Sequence, residues 1–87
     1  MYKFLDFYIP PRMMGGINRY VNGGVRPGHF LQAVISNDLT QACWRADDEN
    51  LKNLTAFVAY FYNKTPSGCW GSGEKMERWI RKFEEEL

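Results

Sequence analysis

The chain has 87 residues, of which 45% are apolar and 16% aromatic, with three Trp, five Tyr and six Phe. This excludes intrinsic disorder, which is poor in aromatics and strongly charged. Eleven Lys and Arg against ten Asp and Glu leave a net charge of +1, short of the basic excess of a dedicated duplex-DNA binder.

Residues 2–9 are rich in strand formers and end at Pro10-Pro11. A single strand cannot satisfy its own backbone groups. The arm is therefore expected to pair with another chain or to pack as an extended segment, and a homo-oligomer follows from the first option. Asp6 interrupts the apolar stretch and no small-residue cleavage site follows, so a secretory signal is not expected. No apolar run approaches the ~20 residues of a membrane span.

Pro11 suits the first position of a helix, where its missing N–H is no loss. Met13 or Met14, Ile17, Tyr20 and Val21 then share a face, and Asn22-Gly23-Gly24 ends the helix. Gly15-Gly16 inside it costs about 1 kcal/mol per Gly relative to Ala, which points to a close approach by another helix or a ligand. Arg26-Pro27-Gly28 opens a second helix with Phe30, Leu31, Val34 and Ile35 on one side. Asp38-Leu39-Thr40-Gln41 has the form of a capping box and starts a short third helix carrying Leu39, Ala42 and Cys43.

Asp47-Asp48-Glu49 places three carboxylates at the start of a fourth helix over about 48–63, where the helix dipole favours them. Adjacent helical positions point to different sides, which argues against a metal site there. Leu51, Leu54, Val58 and Phe61 predict a seam widened by Phe57, Tyr60 and Tyr62. After Thr65-Pro66-Ser67-Gly68, Ser72 caps a last helix in which Met76, Trp79, Ile80, Phe83 and Leu87 follow i, i+3, i+4, i+7, i+11. The expected fold is all-α and a single domain over 1–87. It is a compact bundle of four to five short helices over 10–87, with a short extended or strand-like N-terminal arm over 1–9.

Gly68 and Gly73 have the spacing of a phosphate loop, but Glu74-Lys75 stands where Lys and then Ser or Thr are required, and no strand precedes it. What remains is a glycine-rich turn feeding a helix N-terminus, with Trp70 as a core plug or with backbone N–H groups free for an anion. Cys43 and Cys69 belong to no C-x-x-C pair, and with His29 as the one imidazole a tetrahedral zinc site lacks ligands. No metal or cofactor is expected. A Cys69–His29 pair would be the one route to an enzyme, and no group to orient the base is evident.

The stronger constellation is basic, polar and aromatic. Arg12, Asn18, Arg19 and Arg26 lie in one glycine-rich stretch, and Arg45 and Ser72 add polar groups further on. Arg forks suit phosphate or carboxylate, and Tyr20, Trp44 and Trp70 offer flat surfaces for a base. The same residue types also enrich protein-contact faces.

The string Met14-Gly15-Gly16-Ile17-Asn18-Arg19-Tyr20-Val21, then Gly24 to Phe30, Leu31 through Asp38-Leu39, Arg45-Ala46-Asp47, Tyr62-Asn63, Pro66 and Cys69-Trp70-Gly71-Ser72, resembles a family of small single-domain proteins of tailed phages and prophages. The likeness runs from about Pro10 to Ile80. The family brings no activity with it, so no site residue is carried over. The resemblance implies a phage protein in the cytoplasm of a bacterial host.

The expected function is a non-enzymatic binding protein, acting stoichiometrically as an antagonist of host defence. It would bind a host protein or sequester an anionic nucleotide-like signal. A nucleic-acid-binding regulator is the alternative, disfavoured by the net charge, and a small Cys-dependent enzyme is the last.

Overall fold

The computed structural model describes residues 1–86. The chain opens on two short antiparallel strands, β1 (Lys3–Phe4) and β2 (Phe7–Tyr8), with Lys3 opposite Tyr8 and Phe4 opposite Phe7. Leu5 makes the turn at a φ of 55°, and the Ile9 N–H donates to the Tyr2 carbonyl at 3.0 Å. The arm is thus strand-like, but it pairs with itself and needs no second chain for these groups. Leu5-Asp6 lacks the Asn-Gly or Asp-Gly signal of a tight hairpin, so its sequence does not announce the turn. Ile9 and Pro10 are fully buried, and Tyr2 sets its ring edge-on to Tyr60 at 5.2 Å.

Six helices follow among the described residues: α1 (Pro11–Gly23), α2 (His29–Ile35), α3 (Leu39–Arg45), α4 (Asp48–Lys52), α5 (Leu54–Lys64) and α6 (Gly73–Glu85). A single 3-10 turn, Ser67–Cys69, sits between the last two. Their boundaries have local causes. Pro11 starts α1, and Gly24, at a φ of 65°, ends it by donating its N–H to the Tyr20 carbonyl. Side chains of Asp38, Asp47 and Ser72 accept from the backbone N–H of Gln41, Asn50 and Lys75, capping α3, α4 and α6. A cap of this kind stabilises a helix by about 1 kcal/mol. The reciprocal half of the Asp38 box does not form, because the Asp38 N–H donates to the Ala33 carbonyl at 2.9 Å and the Gln41 side chain accepts from Arg45.

The expected helix over 48–63 is two helices, broken at Asn53. This side chain is buried, its Oδ1 accepts the Tyr8 N–H at 3.0 Å, and its Nδ2 donates to the Glu49 carbonyl at 3.0 Å. Asn in a helix interior offers the backbone alternative hydrogen bonds, and here they bend the chain and tether the hairpin to it.

The break changes which residues of this segment are inside. Ala56, Phe57, Ala59 and Phe61 face the core, and Phe30 meets Phe57 edge-on at 5.0 Å. Leu51, Val58 and Tyr62, expected in the seam, are exposed. On α3 only Ala42 is buried, with Leu39 and Cys43 outside.

Around α5 lie Ile17 and Tyr20 of α1, the expected stripe Phe30, Leu31, Val34 and Ile35 of α2, and Met76 and Ile80 of α6. Trp79 and Phe83 pack at its edge, half-buried. Leu87 lies outside the described residues. Only Gly16 of the Gly15-Gly16 pair faces another helix, where a Cβ would stand 3.4 Å from Leu31 Cδ1 of α2; a Cβ on Gly15 would meet only Arg19 of its own helix. Among the described residues, no helix is long and apolar enough to cross a membrane.

Candidate functional site

The arginines singled out in the sequence do not converge. Arg12 donates to Asp47 at 2.9 Å and to Glu49 at 3.1 Å, and the Tyr8 hydroxyl donates to the other Glu49 oxygen at 2.7 Å. Arg26 forms a two-pronged pair with Glu77 at 2.6 and 2.7 Å. These guanidiniums join α1 to α4 and the α1–α2 connection to α6. Asn18 and Arg19 are exposed on α1. Arg45 reaches Gln41 at 3.4 Å and lines a shallow polar cleft with His29, Gln32 and Ser36.

Tyr20 is fully buried, its hydroxyl donating to the Cys69 carbonyl at 2.6 Å, so it offers no stacking surface. Burial pushes that phenol well above its ordinary range. Trp44 stands apart on α3, 79% exposed. Trp70 and Ser72 remain together at the entry to α6.

The paired carboxylates titrate accordingly. The Tyr8 hydroxyl, then Arg12, holds Glu49 below the usual carboxylate range; the Asn50 N–H lowers Asp47; Arg26 lowers Glu77. A depressed carboxyl contributes stability above its unfolded pKa and loses it as pH falls through the folded value. The stabilisation should therefore be present at neutral pH and fade below about pH 4. Thermal midpoints of wild type and Arg12→Gln should differ at pH 7 and merge in acid; parallel curves down to pH 2 would contradict the pairing. The groups are solvent-exposed, so the difference should be small.

Cys69 is buried and its thiol is pushed up by burial, the reverse of what activates a nucleophile. Its candidate partner His29 is exposed at the start of α2. Cys43 is exposed on α3. Among the described residues, no group of three or more His, Cys, Asp or Glu could hold a metal ion.

Two features of the surface carry more than the arginines do. Leu51, Thr55, Val58 and Tyr62 recur at i, i+4, i+7 and i+11 and all are exposed, Leu51 at 46%, Val58 at 43% and Tyr62 at 75%. Thr55, Val58 and Tyr62 lie on one face of α5 with the spacing of a helix-pairing seam, and Leu51 stands before the break, on α4. Leu39, 68% exposed, stands beside it across a small pocket shared with Leu54 and Val58. On the other side a groove of about 350 Å³ runs between Phe4 and Val58, Ala59 and Tyr62, with no charged residue in its lining.

At the end of the seam Tyr62 also borders a second cleft, of about 470 Å³, with Ser67, Trp70, Gly71 and Lys75. Trp70 was visible in the sequence as a site candidate. Tyr62 and Lys75 were not, since Tyr62 read as core and Lys75 as the residue that breaks a phosphate-loop motif. No protein-family model matches this sequence, and no curated protein or solved structure is similar to it beyond chance.

Proposed function

We propose that this chain is a non-enzymatic binding protein that docks an apolar helix of another protein on the outer face of α5. The observation that carries this reading is the exposed, uncharged seam Leu51–Thr55–Val58–Tyr62. Thr55, Val58 and Tyr62 form a second, uncharged face on α5, whose first face already fills the core, and Leu51 lies before the break on α4. Exposed apolar side chains on one face are characteristic of protein-contact sites, and the i, i+3, i+7 spacing of Thr55, Val58 and Tyr62 suits a helix as occupant. The resemblance to small tailed-phage proteins supports a setting in the bacterial host cytoplasm. There a chain of this size acts stoichiometrically, as an antagonist of host defence.

Val58→Asp tests the reading. An exposed substitution changes stability by about 0.5 kcal/mol or less, so the fold should survive, as circular dichroism would check. A charge buried against an apolar partner is strongly unfavourable. Capture from host lysate should therefore retain a protein on the wild type and on Trp44→Ala, and lose it on Val58→Asp. Equal retention on Val58→Asp would refute the seam as the docking face.

A further inference from the structure

The cleft between α5 and α6 brings together chemistry that the seam does not use. Tyr62 and Trp70 stand edge to face across it, centroids 6.4 Å apart and planes at 79°. Trp70 is held in place because its ring also leans on buried Phe61, at 6.4 Å and a tilt of 37°. The backbone behind it is clamped. Gly71 adopts a φ of 116°, which favours glycine, and donates its N–H to the Ile35 carbonyl at 2.7 Å. One cation enters this aromatic wall. Lys75 Nζ donates to the Ser67 carbonyl at 3.3 Å, and among the described residues it has no carboxylate partner.

An ammonium has three donors, so two remain for a ligand. Lys75 also begins a row. Lys75, Arg78 and Lys82 fall at i, i+3 and i+7 on one side of α6, spanning roughly 10 Å, and Lys82 sits 4.5 Å over the Trp79 ring. Glu74 borders the row and approaches Arg78 at 3.4 Å, but both side chains are largely exposed and the pair is weak.

We infer that this cleft binds a nucleotide, its base stacked on Trp70 beside Tyr62 and its phosphate on Lys75. The volume of about 470 Å³ is within the range of small-ligand sites. Aromatic side chains accept any base through its π-face, and Lys75, the cation of this lining, suits the phosphate carried on the attached sugar. Arg78 and Lys82 lie where further phosphates would run. The ligand is either a free nucleotide or the end of a single strand, which present the same base and phosphate. The site shares only Tyr62 with the seam, and neither reading depends on the other.

Calorimetric titration of the full chain tests this with adenosine 5′-monophosphate, uridine 5′-monophosphate, inorganic phosphate and a short oligo(dA). A mononucleotide or the oligonucleotide should bind saturably and inorganic phosphate should not. Lys75→Glu and Tyr62→Ala should each weaken binding by about tenfold or more, both positions tolerating change without loss of fold. Val58→Asp should leave it unaltered.

Equal affinity for mononucleotide and oligonucleotide would support the site and identify a free nucleotide. Tighter oligonucleotide binding that falls steeply with salt and weakens in Arg78→Glu would support it and identify a strand. Absence of saturable binding by any nucleotide at millimolar concentration, undiminished affinity in both Lys75→Glu and Tyr62→Ala, or phosphate binding as tightly as nucleotide would overturn the inference.

Discussion

Gly24→Ala is expected to destabilise the chain by about 3 kcal/mol, from left-handed strain of roughly 1–2 kcal/mol and steric overpacking of roughly 1–3 kcal/mol. Gly24 ends α1 at a φ of 65°, and a Cβ there would stand 2.5 Å from Phe83 Cδ2 and 2.8 Å from Phe83 Cβ. The ring cannot simply swing away, because its Cβ is part of the clash and Trp79 packs on it at 5.6 Å. Relief requires α6 to move off the end of α1. Urea denaturation of Gly24→Ala, Phe83→Ala and the double variant measures this. The double variant should recover the steric part, giving a coupling above about 0.5 kcal/mol, the usual limit of additivity for independent sites. Strict additivity would show that Phe83 is not what Gly24 accommodates.

Asn53→Leu should cost about 2–4 kcal/mol, at roughly 1–3 kcal/mol for each polar group left unpaired. The volume is nearly conserved, so the loss comes from the Tyr8 N–H and the Glu49 carbonyl, each bonded to Asn53 at 3.0 Å. Asn53→Asp should cost at least as much, because its carboxylate keeps the Tyr8 bond but is buried as a charge and meets the Glu49 carbonyl without a proton. Hydrogen exchange gives the specific readout: the Tyr8 amide should lose protection in Asn53→Leu far more than amides in α6. A uniform loss across the chain would mean that Asn53 stabilises the fold generally and does not tether the hairpin.

Where a single residue type dictates local geometry, the sequence was legible. Pro11 and Gly24 bound α1, Asp38 and Ser72 cap α3 and α6, and the stripe Phe30, Leu31, Val34, Ile35 is buried as its spacing implies. Legibility failed where two arrangements suit the same string. Over 51–62 apolar residues cover most of the helix, so periodicity alone cannot say which face turns inward. The break at Asn53 and the bulk of Phe57 and Phe61 decide it.

The site was read less well for a different reason. Arg12 and Arg26 are ligand candidates by type, but their carboxylates lie 35 and 51 residues away in sequence, a distance at which pairing leaves no local trace. Tyr20 read two ways in the sequence, on the apolar face with Ile17 and Val21 and as a flat surface for a base, and the folded chain buries it as the first reading implies, its hydroxyl on the Cys69 carbonyl. Trp70 lines a cleft on a turn that Gly71, at a positive φ, helps to set.

The two thiols make the chain its own stability gauge. Cys43 lies open on α3, while Cys69 is wholly enclosed under Tyr20. An alkylating reagent would label Cys43 first, in the native protein, and Cys69 only as often as the Ser67–Cys69 turn comes away from Tyr20. The mass spectrum of a timed reaction would therefore count openings directly. Any ligand held beside Trp70 would lengthen that interval without touching the first label.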